Sequence, residues 1–160
     1  MFSNILVPLD GSDPGERALR IAESLARIHK ASIHLIHVVP WQPELEGAKR
    51  GLIAAISAQA AEHQQREARH LLEDRIASGK EYLEQFATRL RDTGLKVETA
   101  VEEGPVDETI IGYAKQHDID LITLCTQGYG GIKRRLLGSV TDRVIRSSET
   151  PVLVLPADYS

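Results

Sequence analysis

At 160 residues the chain has room for one core of ordinary size and none for a second domain. Its 42% hydrophobic and 26% charged residues match a soluble globular protein, which excludes a disordered or fibrous chain. A net charge of −4 removes the broad basic surface of a nucleic-acid binder, and no apolar run approaches the ~20 residues needed for membrane insertion.

Asn4 to Leu9 is a short apolar run closed by Asp10-Gly11-Ser12, the pattern of a buried strand between turn signals. It starts almost at Met1, leaving no space for a signal peptide, and the single cysteine, Cys125, fits a reducing compartment; a cytoplasmic protein is expected. Ser12 or Asp13 offers an N-cap and Pro14 suits a first helical turn. Ala18, Ile21, Ala22, Leu25 and Ala26 then repeat with helical period. Ile33 to Val39 reads as a second buried strand, ended by Pro40, which cannot donate to a ladder.

From Glu44 to Thr93 the composition is helical, but a single helix would extend roughly 75 Å, so a break is expected, with Gly51 and Gly79 as the weak points. Residues 42 to about 58 are expected as a loop or short separate helix, within a variable helical segment of about 42–80. Leu83, Phe86, Ala87 and Leu90 form the apolar stripe of the C-terminal half, which Gly94 closes. A third strand is expected at Lys96 to Val101, a helix at Val106 to His117, and a fourth strand at Asp120 to Cys125. A glycine-rich loop, Gln127 to Gly138, leads to a last helix at Ser139 to Ser148 and a fifth strand at Pro151 to Leu155.

Strands alternating with helices predict an α/β domain over 1–160 with a parallel sheet, because each helix must return the chain to the same sheet end. Ligands of such sheets bind beyond the strand C-termini where the strand order reverses, so Asp10 and the loop after Cys125 are expected to meet. Gly128, Gly130 and Gly131 allow exposed amides, and Gly138-Ser139 opens a helix whose unpaired amides attract phosphate, with Ser139 able to add a hydroxyl. On composition alone a flexible surface loop with Ser139 as a plain N-cap reads equally well. Neither a P-loop nor the usual dinucleotide fingerprint is present.

Over essentially its whole length the chain resembles the universal stress protein family. The resemblance rests on Asn4-Ile-Leu-Val-Pro-Leu-Asp-Gly-Ser12 as the opening strand, His37-Val38 at the end of the second strand and Asp120-Leu-Ile-Thr-Leu as the fourth. Nucleotide-binding members carry Gly-x2-Gly-x9-Gly-Ser/Thr, and Gly128-x9-Gly138-Ser139 keeps that spacing, with Cys125 in place of the first glycine and Gln127 where histidine is common. The resemblance implies a doubly wound five-stranded sheet of order 3-2-1-4-5 with helices on both faces, Rossmann-like and of the adenine nucleotide alpha hydrolase type.

It further implies ATP or AMP as ligand, with Pro8, Leu9 and Asp10 near the ribose, Asp10 reaching magnesium through the nucleotide, and the main chain of Val38 reading adenine. Cys125, Gln127, Gly128, Gly138, Ser139 and Val140 would surround the phosphates. A homodimer through Val152, Leu153, Val154 and Leu155 and a regulatory protein partner are also implied. The expected role is regulation in stress response with at most slow ATP hydrolysis, since Gln127 orients water but accepts no proton. The Cβ of Cys125, where close backbone approach is wanted, keeps a nucleotide-free dimeric adaptor of the same fold as the alternative. An ATP-dependent activating enzyme would need a stronger phosphate-reading turn after strand one than Asp10-Gly11-Ser12-Asp13.

Other candidates carry less. His34 and His37, an odd number of residues apart on a strand, face opposite sides and cannot share a metal. His63 and His70 read as solvated helix surface, and Asp118 and Asp120 as turn residues. Cys125 reads as a buried thiol, or as a reactive one if nearby amides and cations lower its pKa. Lys133 to Arg135 read as loop cations that either reach phosphate or stay solvated.

Overall fold

The computed structural model describes residues 1–41, 58–126 and 138–156. The chain order is β1 (Asn4–Pro8), α1 (Asp13–His29), β2 (Ser32–Pro40), α2 (Ala58–Asp92), β3 (Val97–Gly104), α3 (Val106–Gln116), β4 (Leu121–Cys125), α4 (Ser139–Ser147) and β5 (Val152–Leu155). The strands pair in parallel in the order β3-β2-β1-β4-β5, so β1 is central and β3 and β5 are the edges.

Side-chain alternation sorts the apolar strands into two cores. Ile5 and Val7 of β1 with Ile33 and Leu35 of β2 face α1 and α2, meeting Leu19, Ala22, Leu83 and Leu90. Leu6, Ile36 and Val38 face α3 and α4, meeting Ile110, Tyr113 and Val144. Burial on both faces is why β1 and β2 read as unbroken apolar runs.

Two expectations change. No break occurs at Gly79, since α2 runs through it as one helix of 35 residues. The glycine serves packing: a Cβ there would stand 2.8 Å from His37 Cδ2 and 3.3 Å from Val101 Cγ1, so its absence lets α2 lie close on β2 and β3. Gly51 and the loop or short helix expected at 42 to about 58 lie outside the described residues, apart from the first residue of α2. β3 extends past Val101 to Gly104, pairing with β2 as far as Pro40, because exposed Glu102 and Glu103 sit on an edge strand whose outer positions tolerate charge.

The turns around the sheet have local causes. Ser12 caps α1, its Oγ accepting from the Gly15 amide at 3.4 Å. Asp118, at φ 50°, turns the chain out of α3, and the Asp120 carboxylate accepts from the amides of Ser3 (2.7 Å) and Asn4 (3.3 Å). Both aspartates hold turns, as their positions imply.

Candidate functional site

The sheet order reverses between β1 and β4, and a cavity of about 410 Å³ opens beyond their C-terminal ends. That size lies within the usual range for a small-molecule site. Pro8, Leu9 and Asp10 follow β1, Val38 comes from β2, Cys125 ends β4, and Gly138, Ser139 and Val140 begin α4; all eight line this one space. Gln127, Gly128 and Lys133 to Arg135 lie outside the described residues.

The walls divide by chemistry. Ile36 and Val38 from the sheet and Val106 and Ile110 from α3 make an apolar slot suited to a flat aromatic ring. At the other end stands the first turn of α4. Its first intrahelical bond runs from Asp142 N to Gly138 O at 2.9 Å, so the amides of Ser139, Val140 and Thr141 have no acceptor within the helix. Such amides, with the helix dipole behind them, favour an anion.

The N-cap of α4 is Gly138, which has no side chain to cap with, and Ser139 is the first helical residue. The expectation of Ser139 as a capping side chain is therefore corrected: α4 has no side-chain cap, and Ser139 lies one position inside the helix. Gly138 has φ −59°, and among the described residues a Cβ on it would meet nothing nearer than Thr141 Oγ1 at 4.0 Å. The fold has no conformational need for glycine at this position. Thr141 donates to the Cys125 carbonyl at 3.4 Å, tying the start of α4 to the end of β4.

Asp10 Oδ1 accepts from the Ser12 amide (3.0 Å) and hydroxyl (2.5 Å), which holds the carboxylate at the mouth of the cavity. Gly15 permits this approach, because a Cβ there would lie 3.3 Å from the same oxygen. His37 donates from Nδ1 to the Leu9 carbonyl at 2.8 Å and braces the end of β1 against β2. Tyr82 of α2 packs edge-on to His37, and burial, with Glu16 second, pushes its hydroxyl up to about 12.

Burial raises the Cys125 thiol above its ordinary pKa; a backbone hydrogen bond at Ala18 and the charge of Arg17 only partly oppose this. The reactive-thiol option is corrected in direction, and the thiol is half-buried, not fully buried. Thiolate, the species that alkylates, accumulates only as pH rises through that elevated pKa. Iodoacetamide labelling of Cys125 is therefore expected to be slower than that of free cysteine at neutral pH and still accelerating above pH 9.0, the ordinary value. A rate that levels off below that pH contradicts the assignment.

The lining also includes residues absent from the expected site, among them Val106 with Ile110, Ile36, Thr141, and Arg75 from α2. The first pair had a signal, four residues apart on one face of a helix leaving the same sheet edge. Arg75 had none, since only the packing of α2 brings it to the cavity.

β5 lies at the sheet edge, with Val152, Leu153 and Val154 half-buried and Leu155 buried. No helix among the described residues is long and apolar enough to cross a membrane.

Relatives share this architecture. The chain is 31% identical over 155 residues to Universal stress protein MJ0531 of Methanocaldococcus jannaschii, covering 97% of this chain and 82% of that one. To Universal stress protein MJ0577 of the same organism it is 30% identical over 157 residues, covering 97% and 95%. The solved structure of MJ0577 superposes with a TM-score of 0.76 at 28% identity over 100% of this chain and 99% of that one. A universal stress protein in complex with cAMP (TM-score 0.65, 22% identity, 98% of each chain) shares the fold. So does one from Archaeoglobus fulgidus in complex with dAMP (TM-score 0.55, 20% identity, 96% and 97%). The model of the Universal stress protein family matches residues 1–156, and with β1, the switch-point cavity and the start of α4 all in place the chain belongs to that family.

Proposed function

We propose that the cavity binds an adenine nucleotide, ATP or AMP, and that occupancy regulates how this protein engages a protein partner during stress. The observation that carries this reading is the joining of an apolar slot (Ile36, Val38, Val106, Ile110) to the bare amides of α4 within one space of about 410 Å³. Adenine fills the slot against the Val38 main chain, Pro8, Leu9 and Asp10 flank the ribose, and the phosphates settle on Gly138, Ser139 and Val140. Gln127 and Gly128 complete the phosphate end, and Cys125 forms its floor. The Asp10 carboxylate, fixed by Ser12, is a hard oxygen ligand suited to magnesium carried by ATP. The adenosine phosphates held by related folds support the choice of base.

The role is binding and not turnover. Asp10 Oδ1 is already occupied by two hydrogen bonds from Ser12, which suits an anchor better than a proton acceptor. Residues 1–160 act as one cytoplasmic domain. Val152 to Leu155 join two copies in a homodimer, since an apolar edge strand offers unpaired backbone groups to a second edge.

One observation favours the other reading, a nucleotide-free dimeric adaptor: Cys125 brings a Cβ to the cavity where a glycine would leave room. A single preparation separates the two. Protein of dimeric mass by light scattering is denatured and the released small molecules identified, and the apoprotein is titrated calorimetrically with ATP, ADP and AMP plus magnesium. Released adenine nucleotide or saturable heat is expected. A dimer with neither belongs to the adaptor, and a monomer removes the edge-strand interface.

A further inference from the structure

A second cluster of chemically able side chains lies on the α3 face of the sheet, away from the cavity. His34 of β2, Glu98 of β3 and His117 at the end of α3 bring one ligand atom each to within 4.8 Å of one another. Among the described residues no other group of three does so. The residues come from positions 34, 98 and 117, so only the folded chain assembles them.

The arrangement goes beyond proximity. His34 is 4% exposed, a buried polar ring on the β2 face that also carries Ile36 and Val38. Its Nδ1 stands 3.7 Å from Glu98 Oε2 and 3.2 Å from the Tyr113 hydroxyl. Two ligand atoms on tetrahedral zinc, with bonds of about 2.0–2.1 Å, lie roughly 3.4 Å apart, so the His34 and Glu98 pair needs little movement. The His117 ring stacks on Tyr113, centroids 4.0 Å apart and planes 21° apart, which orients it beside His34. Glu98 and His117 are exposed, so both can turn inward to close the remaining distance and a metal has a path in.

We propose that His34, His117 and Glu98 form a binding site for a divalent transition metal of the zinc class. Two imidazoles and a carboxylate are a recognised zinc donor set that leaves a fourth position for water. The Tyr113 hydroxyl now pairs with His34 Nδ1, so metal binding at that nitrogen would free it to hydrogen-bond a bound water. His34 precedes Val38 by four strand residues, about 13 Å, so this site is separate from the nucleotide cavity and does not depend on it.

The bound ion would clamp β2, β3 and the end of α3 together, so it should stabilise the fold. The untagged full chain, freed of metal with a chelator, is titrated with zinc by calorimetry and with cobalt(II) in the visible spectrum, and melted with and without zinc. One zinc per chain, tetrahedral cobalt bands and a melting temperature raised by about 5 °C are expected at saturating metal. His117→Ala and Glu98→Gln alter exposed side chains and should fold normally, each weakening zinc binding at least about tenfold. The double variant His63→Ala with His70→Ala should bind as the parent does. Absence of zinc binding overturns the proposal, as does binding that is unchanged in His117→Ala or lost in the His63/His70 variant.

Discussion

Gly138→Asp is expected to weaken nucleotide binding while leaving the fold as stable as before, or slightly more so. Gly138 is the N-cap of α4 and supplies no capping side chain, while aspartate is among the preferred N-caps and also favours the positive end of the helix. Its backbone at φ −59° accepts any residue, and among the described residues the added Cβ meets nothing nearer than Thr141 Oγ1 at 4.0 Å. The gain from a better cap is about 0.5 kcal/mol, a rise of roughly 1–2 °C in melting temperature for a chain of this length. A bound phosphate faces the opposite outcome. Two unit charges about 4 Å apart repel by roughly 1–4 kcal/mol in settings between water and a protein surface, which weakens ATP about fivefold to several hundredfold. Calorimetric titration beside a thermal melt reads both effects from one sample. Unchanged ATP affinity would mean that α4 does not receive the phosphates, whatever else the cavity holds.

Leu83→Ala is expected to destabilise the protein by about 2–5 kcal/mol, the range for a buried leucine truncated to alanine. Leu83 has no exposed surface and lies with Ala87 and Leu90 against the β1–β2 core. Along the 35 residues of α2, every side chain described before Gly79 is exposed or only partly buried, so the helix is held by its C-terminal third. Loss of Leu83 therefore loosens the whole element, including Arg75, which reaches the cavity from one turn above Gly79. Urea unfolding measures the loss. Leu71→Ala, on the same helix but 60% exposed, should change stability by less than about 0.5 kcal/mol. Equal effects from the two substitutions would show that the described packing of α2 is wrong.

Much of the fold was legible because its causes are local. Ile5, Leu6 and Val7, or Ile33 to Val39, are apolar without interruption because both sheet faces are covered, and Asp10-Gly11-Ser12 announces the turn into α1 by its own hydrogen bonds. Strand limits were less legible where the reason lay in a neighbour. Glu102 and Glu103 are charged and still belong to β3, because β2 beside them supplies the ladder. At Gly79 a low helix propensity signals a break, yet the cost of about 1 kcal/mol is accepted so that α2 can approach His37 and Val101.

By itself the sequence determined the alternation of strands and helices, hence a parallel sheet, and with it the place where β1, β4 and the start of α4 must converge. Periodicity and turn chemistry act over a few residues, and chirality leaves few ways to connect such elements. Only the tertiary structure decided that α2 is continuous, that Arg75 and Thr141 line the cavity, that burial raises the Cys125 thiol, and that His34 stands with His117 and Glu98 instead of with His37. Those features depend on residues tens of positions apart touching and on water being excluded between them, which no local pattern encodes.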